Sequence, residues 1–158
     1  MVNIVNQYPK FKNTMILQEI SEFIEEVLKD FGRGGRVMNI VLCDDGFIRD
    51  LNRDYRGFDK PTDVLSFSME EGEVLWDGDD DSIGEVPVEM GDVMISVDTA
   101  GRQAVEYNVP LEEELVRLSV HGALHLLGLD HEISPEEEEA MMKKQDELIA
   151  EFFRKYSL

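Results

Sequence analysis

Hydrophobic residues between positions 14 and 31 recur at the spacing of one side of a helix. The apolar positions in this stretch are 16, 17, 20, 23, 24, 27, 28 and 31. Residues three and four apart lie on the same side of a helix, so the pattern predicts an amphipathic helix whose apolar side packs on a core. Asn13 or Thr14 can cap its start, and the glycines at 32, 34 and 35 can end it.

Shorter apolar runs that are rich in β-branched residues predict strands. These runs cover residues 2–6, 36–43, 62–67 and 92–97. Helical spacing and capping signals predict four further helices. They run from Asp44 or Asp45 to about 55, from about 98 to 107, from 111 to 127 after Pro110, and from Ser134 or Pro135 onward. With no internal repeat and no linker, the pattern predicts one α+β domain over residues 1–158.

Residues 69–90 have no periodicity and contain the acidic run DGDDD at 77–81. The segment therefore predicts a solvated loop or hairpin inserted into the domain, with Trp76 packing it down. A calcium-binding loop is the alternative, but the spacing of oxygen ligands that ends in a bidentate glutamate is not matched.

The composition, 42% hydrophobic and 32% charged over 158 residues, is typical of a soluble globular protein. Cys43 is the one cysteine, so the chain has no internal disulfide partner and no multi-cysteine zinc site. A lone thiol in an apolar stretch fits a reducing cytoplasm. No apolar run reaches the roughly 18 residues that would predict a membrane span, and the start has no signal-peptide pattern.

The formal net charge of −20 argues against a broad, charge-driven nucleic-acid binder. The charge is unevenly distributed, however. Residues 1–60 carry nine basic and ten acidic groups, residues 61–100 carry twelve acidic and no basic groups, and residues 101–158 carry six basic and thirteen acidic groups. A local positive surface can therefore form in the first part of the chain, where most of the cations lie.

All three histidines lie in the stretch HGALHLLGLDH. His121 and His125 are four residues apart and project from the same side of a helix. Gly128 can end that helix in a left-handed turn, which lets His131 return towards the other two. Three neutral imidazoles around one point are typical of a catalytic zinc site with an open position, at which water is activated for hydrolysis. The alternative is three hydrogen-bonded core histidines, but six buried ring nitrogens would then need partners.

The same histidine spacing occurs in zinc proteases, in which a glutamate follows the first histidine and acts as general base. Here that position is Gly122, which argues against peptide hydrolysis. Asp130 is either an acceptor for a ligand histidine or a turn residue. Imidazole ligands favour zinc but also accept nickel or copper.

The sequence resembles the YbeY family of bacterial rRNA-maturation endoribonucleases. The resemblance rests on HGALHLLGLDH at 121–131, LNRDYRGFDKPTDVLSF at 51–67, and GDVMIS at 91–96 with the stretch that follows it. It covers most of the chain apart from the acidic insertion and the last helix. Two departures are Leu129, where the family usually has an aromatic residue, and the length of the insertion.

The resemblance implies a mixed four-stranded sheet with about five helices, including a metalloprotease-like central helix that carries one Zn²⁺ per chain, or another transition metal such as Ni²⁺. It implies single-strand-specific RNA cleavage, with the ribosome or its small subunit as partner, in maturation of the small-subunit rRNA 3′ end and in ribosome quality control. By position, Arg56 matches the family's important arginine and is expected to contact a phosphate; an ion pair with Asp54 or Asp59 is the alternative. Asp63 and Ser66 are expected to position the strand or the metal ligands.

Three functions remain open at this point. The first is a metal-dependent endoribonuclease, with His121 and Arg56 as catalytic residues. The second is a metallopeptidase that uses the same spacing, and the third is a ribosome-associated factor whose metal is structural.

Overall fold

The computed structural model describes residues 1–69, 88–128 and 134–156. In chain order the elements are β1 (Val2–Asn6), α1 (Thr14–Asp30), β2 (Val37–Cys43), α2 (Asp45–Arg56), β3 (Val64–Ser68), β4 (Glu89–Ser96), α3 (Val97–Tyr107), α4 (Leu111–Leu126) and α5 (Pro135–Tyr156). Within these ranges there are four strands and five helices, which confirms the predicted α+β class. The predicted acidic loop and Trp76 lie outside the described residues except at the two ends of the segment.

The four strands form one mixed sheet in the order β1-β2-β4-β3. β1 and β2 are parallel, β2 and β4 are parallel, and β3 runs antiparallel to β4. β3 is therefore an edge strand, and its side chains point alternately to the two faces of the sheet. This position matters because the predicted site residues belong to elements on both faces.

Alternate side chains of the strands point to opposite faces, so each face has its own core. On one face the strands pack against α1 and α4 in the larger core, and α5 packs against α4. On the other face α2 covers a smaller core, through the contact of Ile48 with Val41, Cys43, Leu65 and Met94. Burial raises the pKa of the Cys43 thiol to about 12, so this thiol is a core group that stays protonated at neutral pH.

The prediction of the acidic insertion is wrong at its C-terminal end. β4 begins at Glu89, three residues before the predicted start, and Met90 is completely buried. Gly91 interrupts the hydrophobic pattern and adopts a φ of 146°, close to a register shift in the pairing of β2 with β4. The strand also ends earlier than predicted, because the Ser96 side chain caps α3 by accepting a hydrogen bond from the backbone N–H of Thr99.

A network of hydrogen bonds around the Asp45 carboxylate holds the start of α2. Its carboxylate accepts hydrogen bonds from the hydroxyls of Ser96 and Thr99 at 2.6 and 2.7 Å and from the Arg102 guanidinium at 2.9 Å. Burial alone would raise the pKa of Asp45, but these three donors hold it below its usual value. The network therefore fixes α2 against the end of β4 and the start of α3.

None of the described helices combines the length and apolar character that a bilayer crossing requires.

Candidate metal and RNA site

Helix α4 brings two of the three histidines together. His121 and His125 lie one turn apart on its exposed margin, and both are half-buried. Their Nε2 atoms are 2.8 Å apart, and their ring centroids are separated by 4.3 Å. The other side of the helix is apolar and buried in the larger core, so the backbone that carries these rings is rigidly placed.

The helix ends as the sequence predicted. Gly128 adopts a left-handed conformation with a φ of 81°, and its backbone N–H donates to the carbonyl of His125 at 2.9 Å. This conformation carries little cost for glycine, and it turns the chain away from the helix axis. His131 and Asp130, which follow this turn, lie outside the described residues.

Gln145 on α5 is the functional residue that sequence reasoning missed. It is 1% exposed, and its Oε1 atom is 2.6 Å from Nδ1 of His121. An amide oxygen accepts but cannot donate, so the proton lies on Nδ1 and the lone pair of His121 lies on Nε2. A signal was present in the sequence, because Gln145 occupies a position of the buried stripe of α5 that also contains Met141, Leu148 and Phe152.

The two described imidazoles fit part of a site for a zinc-like ion; the part of the chain that the structure describes brings no third His, Cys, Asp or Glu ligand to them. Two imidazoles converge through their Nε2 atoms, and one of them has its other nitrogen held by a buried carbonyl group, which is the usual arrangement of histidine ligands in metal sites. At 2.8 Å the two Nε2 atoms are close enough to approach one ion, and without an ion His125 Nε2–H can donate a hydrogen bond to His121 Nε2. The geometry of the described part of the site is therefore compatible with the predicted ligands His121 and His125.

Gly122 lies where α4 approaches the sheet most closely. A Cβ atom at this position would overlap the side chain of Val93 on β4 and would lie 3.3 Å from the Ser66 hydroxyl. The position at which zinc proteases carry a glutamate has no room for a side chain here. Ser66 Oγ donates to the Gly122 carbonyl at 3.3 Å, which places this predicted positioning residue beside the turn of α4 that carries His121.

Asp63 immediately precedes β3 and is held by contacts with neighbouring elements. Its Oδ2 atom accepts a hydrogen bond from Gln103 on α3 at 3.0 Å, and its Oδ1 atom accepts from the backbone N–H of Val64 at 2.8 Å. Its backbone carbonyl also accepts from the N–H of Ser96. These contacts tie the beginning of β3 to α3 and to the end of β4.

Arg56 ends α2 on the opposite face of the sheet from α4 and is exposed. Among the described residues no ion pair joins Arg56 to Asp54 or Asp59, the predicted alternative, and both carboxylates contact other arginines. Asp54 accepts from Arg53 at 3.0 Å, and Asp59 accepts from Arg49 at 2.9 Å. No hydrogen-bond or ion-pair partner of Arg56 is found among the described residues, and its side chain is exposed.

Comparison with known proteins places this arrangement in a family. The profile of the family described as Endoribonuclease YbeY matches residues 2–153. A Treponema denticola protein named Endoribonuclease YbeY is 46% identical over 134 residues, which are 84% of this chain and 81% of the relative. A Syntrophotalea carbinolica protein of the same name is 40% identical over 147 residues, which are 92% and 91% of the two chains.

A solved structure supports the same assignment. The solution structure of a Thermotoga maritima protein superposes with a TM-score of 0.68 at 29% sequence identity, and the match covers 99% of this chain and 92% of that one. The family profile, the curated relatives and the fold agree with the resemblance seen in the motifs. This chain belongs to the YbeY endoribonuclease family.

Proposed function

We propose that this protein is a metal-dependent endoribonuclease that hydrolyses phosphodiester bonds of single-stranded RNA by means of a metal-activated water. The observation that carries the proposal is the convergence of the His121 and His125 Nε2 atoms at 2.8 Å, with the His121 tautomer held by buried Gln145. Membership of the YbeY family supports the choice of RNA as substrate.

His121, His125 and His131 would hold the ion, which is Zn²⁺ or a related transition metal such as Ni²⁺. When bound, the ion supplies Lewis-acid activation of water at neutral pH. The remaining work belongs to the chain itself. The Gln145 carbonyl keeps the His121 Nε2 lone pair available, and the exposed Arg56 guanidinium binds a phosphate of the strand and balances its negative charge.

The packing of Gly122 favours this reaction over peptide hydrolysis. A zinc protease needs a glutamate after its first histidine, and Val93 fills the space that this side chain would require. The chemistry at Arg56 also differs from that of a peptidase, since an exposed guanidinium with no partner among the described residues suits a phosphate. A ribosome-associated factor with a purely structural metal is the remaining alternative.

We further propose that the physiological substrate is the 3′ end of the small-subunit rRNA, that the protein takes part in ribosome quality control in the cytoplasm, and that the ribosome or its small subunit delivers the strand. The formal net charge of −20 supports the need for delivery, because an acidic protein attracts free RNA weakly. The family resemblance supports the choice of the ribosomal partner.

Cleavage of a single-stranded oligoribonucleotide by the purified, zinc-loaded protein tests the proposal. We expect His121→Ala to abolish cleavage and Arg56→Gln to lower kcat/KM by about 10–100-fold, the range for loss of a hydrogen bond to a charged group. Arg53→Gln is the matched control, since Arg53 lies one turn away but is already paired with Asp50 and Asp54. Cleavage that persists in both the His121 and the Arg56 variants would identify a contaminating nuclease and contradict the proposal.

The metal content of the same preparations, measured together with cleavage, separates the proposed function from its alternatives. A catalytic ion predicts that His121→Ala loses metal and cleavage together. A structural ion predicts a metal-replete wild type that cleaves neither RNA nor peptides. Metal-dependent hydrolysis of a protein substrate would instead support the peptidase.

A further inference from the structure

Two aromatic rings at the end of α2 are exposed to solvent. Tyr55 is 71% exposed and Phe58 is 57% exposed, and they flank Arg56 and the helix-ending Gly57. The two rings are three residues apart in the sequence, and exposed apolar surface of this kind commonly marks an interaction site. The α2-end surface is defined here as Tyr55, Arg56, Phe58 and Lys60.

The loop that carries Phe58 is held rigidly. The buried side chain of Asn52 donates to the backbone carbonyl of Lys60 at 2.8 Å, and the backbone N–H of Phe58 donates to the carbonyl of Asn52. Arg49 holds Asp59 from outside through two hydrogen bonds. Because the backbone of this loop is already ordered, Phe58 needs little further ordering when it binds a ligand.

The same surface is positive relative to the rest of the chain. Residues 49–60 contain four basic and three acidic side chains, whereas the whole chain has a net charge of −20. The ion pairs in this stretch engage Arg49 and Arg53, whereas Arg56 and Lys60 have no carboxylate partner among the described residues. The Lys60 ammonium lies 5.8 Å from the centroid of the Phe58 ring, so a cation and a ring are presented side by side.

The α2-end surface adjoins the edge of the sheet that leads to the histidines. The Tyr55 ring packs edge-on against Phe67 of β3, with centroids 5.5 Å apart. Ser66, the next residue on this edge strand, points to the other face and contacts Gly122 beside His121. A strand of RNA that crosses β3 would therefore pass from the exposed rings towards the histidine pair.

We propose that the α2-end surface is a binding site for single-stranded RNA, in which bases stack on Phe58 and Tyr55 while Arg56 and Lys60 bind the adjoining phosphates. Aromatic rings interleaved with cations are the general means by which proteins bind unpaired nucleotides without strict sequence preference. Bases inside a duplex are already stacked on one another, so the site selects single strands. The proposal rests on the proposed function for the direction of the strand, but its binding chemistry is independent of cleavage.

The test is fluorescence anisotropy of a labelled oligouridylate of about 10 nucleotides, a length within the range that such surfaces accommodate. The full chain is used with a chelator present, so that binding is measured without cleavage. We expect Phe58→Leu, which keeps apolar size but removes the aromatic face, to weaken binding at least about fivefold. Phe58→Trp should retain the wild-type affinity, and Val105→Ala is the control because Val105 is 82% exposed on α3, outside this surface.

A duplex RNA probe completes the experiment, and its binding should not change in the Phe58 variants. Wild-type affinity of Phe58→Leu for the single strand, or no binding by the wild type, would overturn the proposal. An equal loss with Phe58→Leu and Val105→Ala would also overturn it. Phe58-dependent binding by a protein that never cleaves RNA when zinc-loaded would leave this site standing and refute the proposed function instead. If both cleavage and single-strand binding stayed unchanged in the Phe58 variants, this site would be refuted and the proposed function would stand.

Discussion

One residue, Gln145, determines which nitrogen of His121 is available to an ion. His121 could hold its proton on either nitrogen, and only the Nδ1 form leaves Nε2 free to coordinate. The buried Gln145 carbonyl selects that form through a 2.6 Å hydrogen bond. In the proposed site, Gln145 is therefore a positioning residue that acts through His121.

We predict that Gln145→Leu weakens zinc binding by about 10–100-fold, the usual effect of removing the partner of a ligand histidine. Gln145→Glu should restore much of the affinity, because a carboxylate also accepts from Nδ1. Competition with a chromophoric chelator measures the affinity, and nitrogen-15 shifts of the metal-free protein report the His121 tautomer. Equal zinc affinity and an unchanged tautomer in the leucine variant would show that Gln145 only fills space.

At the scale of elements, the close approach of α4 to β4 depends on Gly122, and a matched pair of glycines tests this. We predict that Gly122→Ala lowers the free energy of unfolding by about 1–3 kcal/mol, because the new methyl group overlaps Val93. Gly101→Ala, in α3, meets nothing within 4 Å and should raise it by about 0.5–1 kcal/mol through the better helix propensity of alanine. Urea denaturation measures both. If Gly122→Ala left the free energy of unfolding unchanged, α4 and β4 would separate easily enough to admit the methyl group.

The elements themselves could be predicted because their signals are local. The apolar positions predicted for α1 from 16 to 28 are all buried, and Asn13 caps the helix as expected. The start of β4 could not be predicted, because Gly91 breaks the pattern and the strand is defined by its pairing with distant β2.

In the candidate site, too, features with local signals could be predicted, whereas those that depend on distant contacts could not. The paired histidines and the turn at Gly128 follow from spacing along one helix. The contact of Gln145 with His121 joins residues 24 positions apart and depends on how α5 packs against α4. The partners of Asp54 and Asp59 were also out of reach, because the choice among three nearby arginines depends on the side of α2 from which each one projects.

At the scale of the whole molecule, two electrostatic effects on RNA oppose each other. The net charge of −20 repels a polyanion, while the cations of the α2-end surface attract it locally. The isolated protein should therefore bind single-stranded RNA weakly, and its affinity should fall as salt rises because phosphate contacts release counterions. A nanomolar affinity for random RNA that is insensitive to salt would contradict this balance.

Two arginine variants separate the local attraction from the overall repulsion. Arg56→Gln and Arg53→Gln each change the net charge from −20 to −21, so their long-range repulsion of RNA is the same. They differ in that Arg56 is unpaired among the described residues, whereas Arg53 already contacts Asp50 and Asp54. We predict that Arg56→Gln makes the slope of log affinity against log salt shallower by about 0.7, the value for one phosphate contact to a single strand. Arg53→Gln should leave the slope unchanged, since its guanidinium has no free charge to give to a phosphate. Anisotropy titrations at several salt concentrations measure the slopes, and equal slopes in the two variants would mean that RNA responds to the total charge rather than to Arg56.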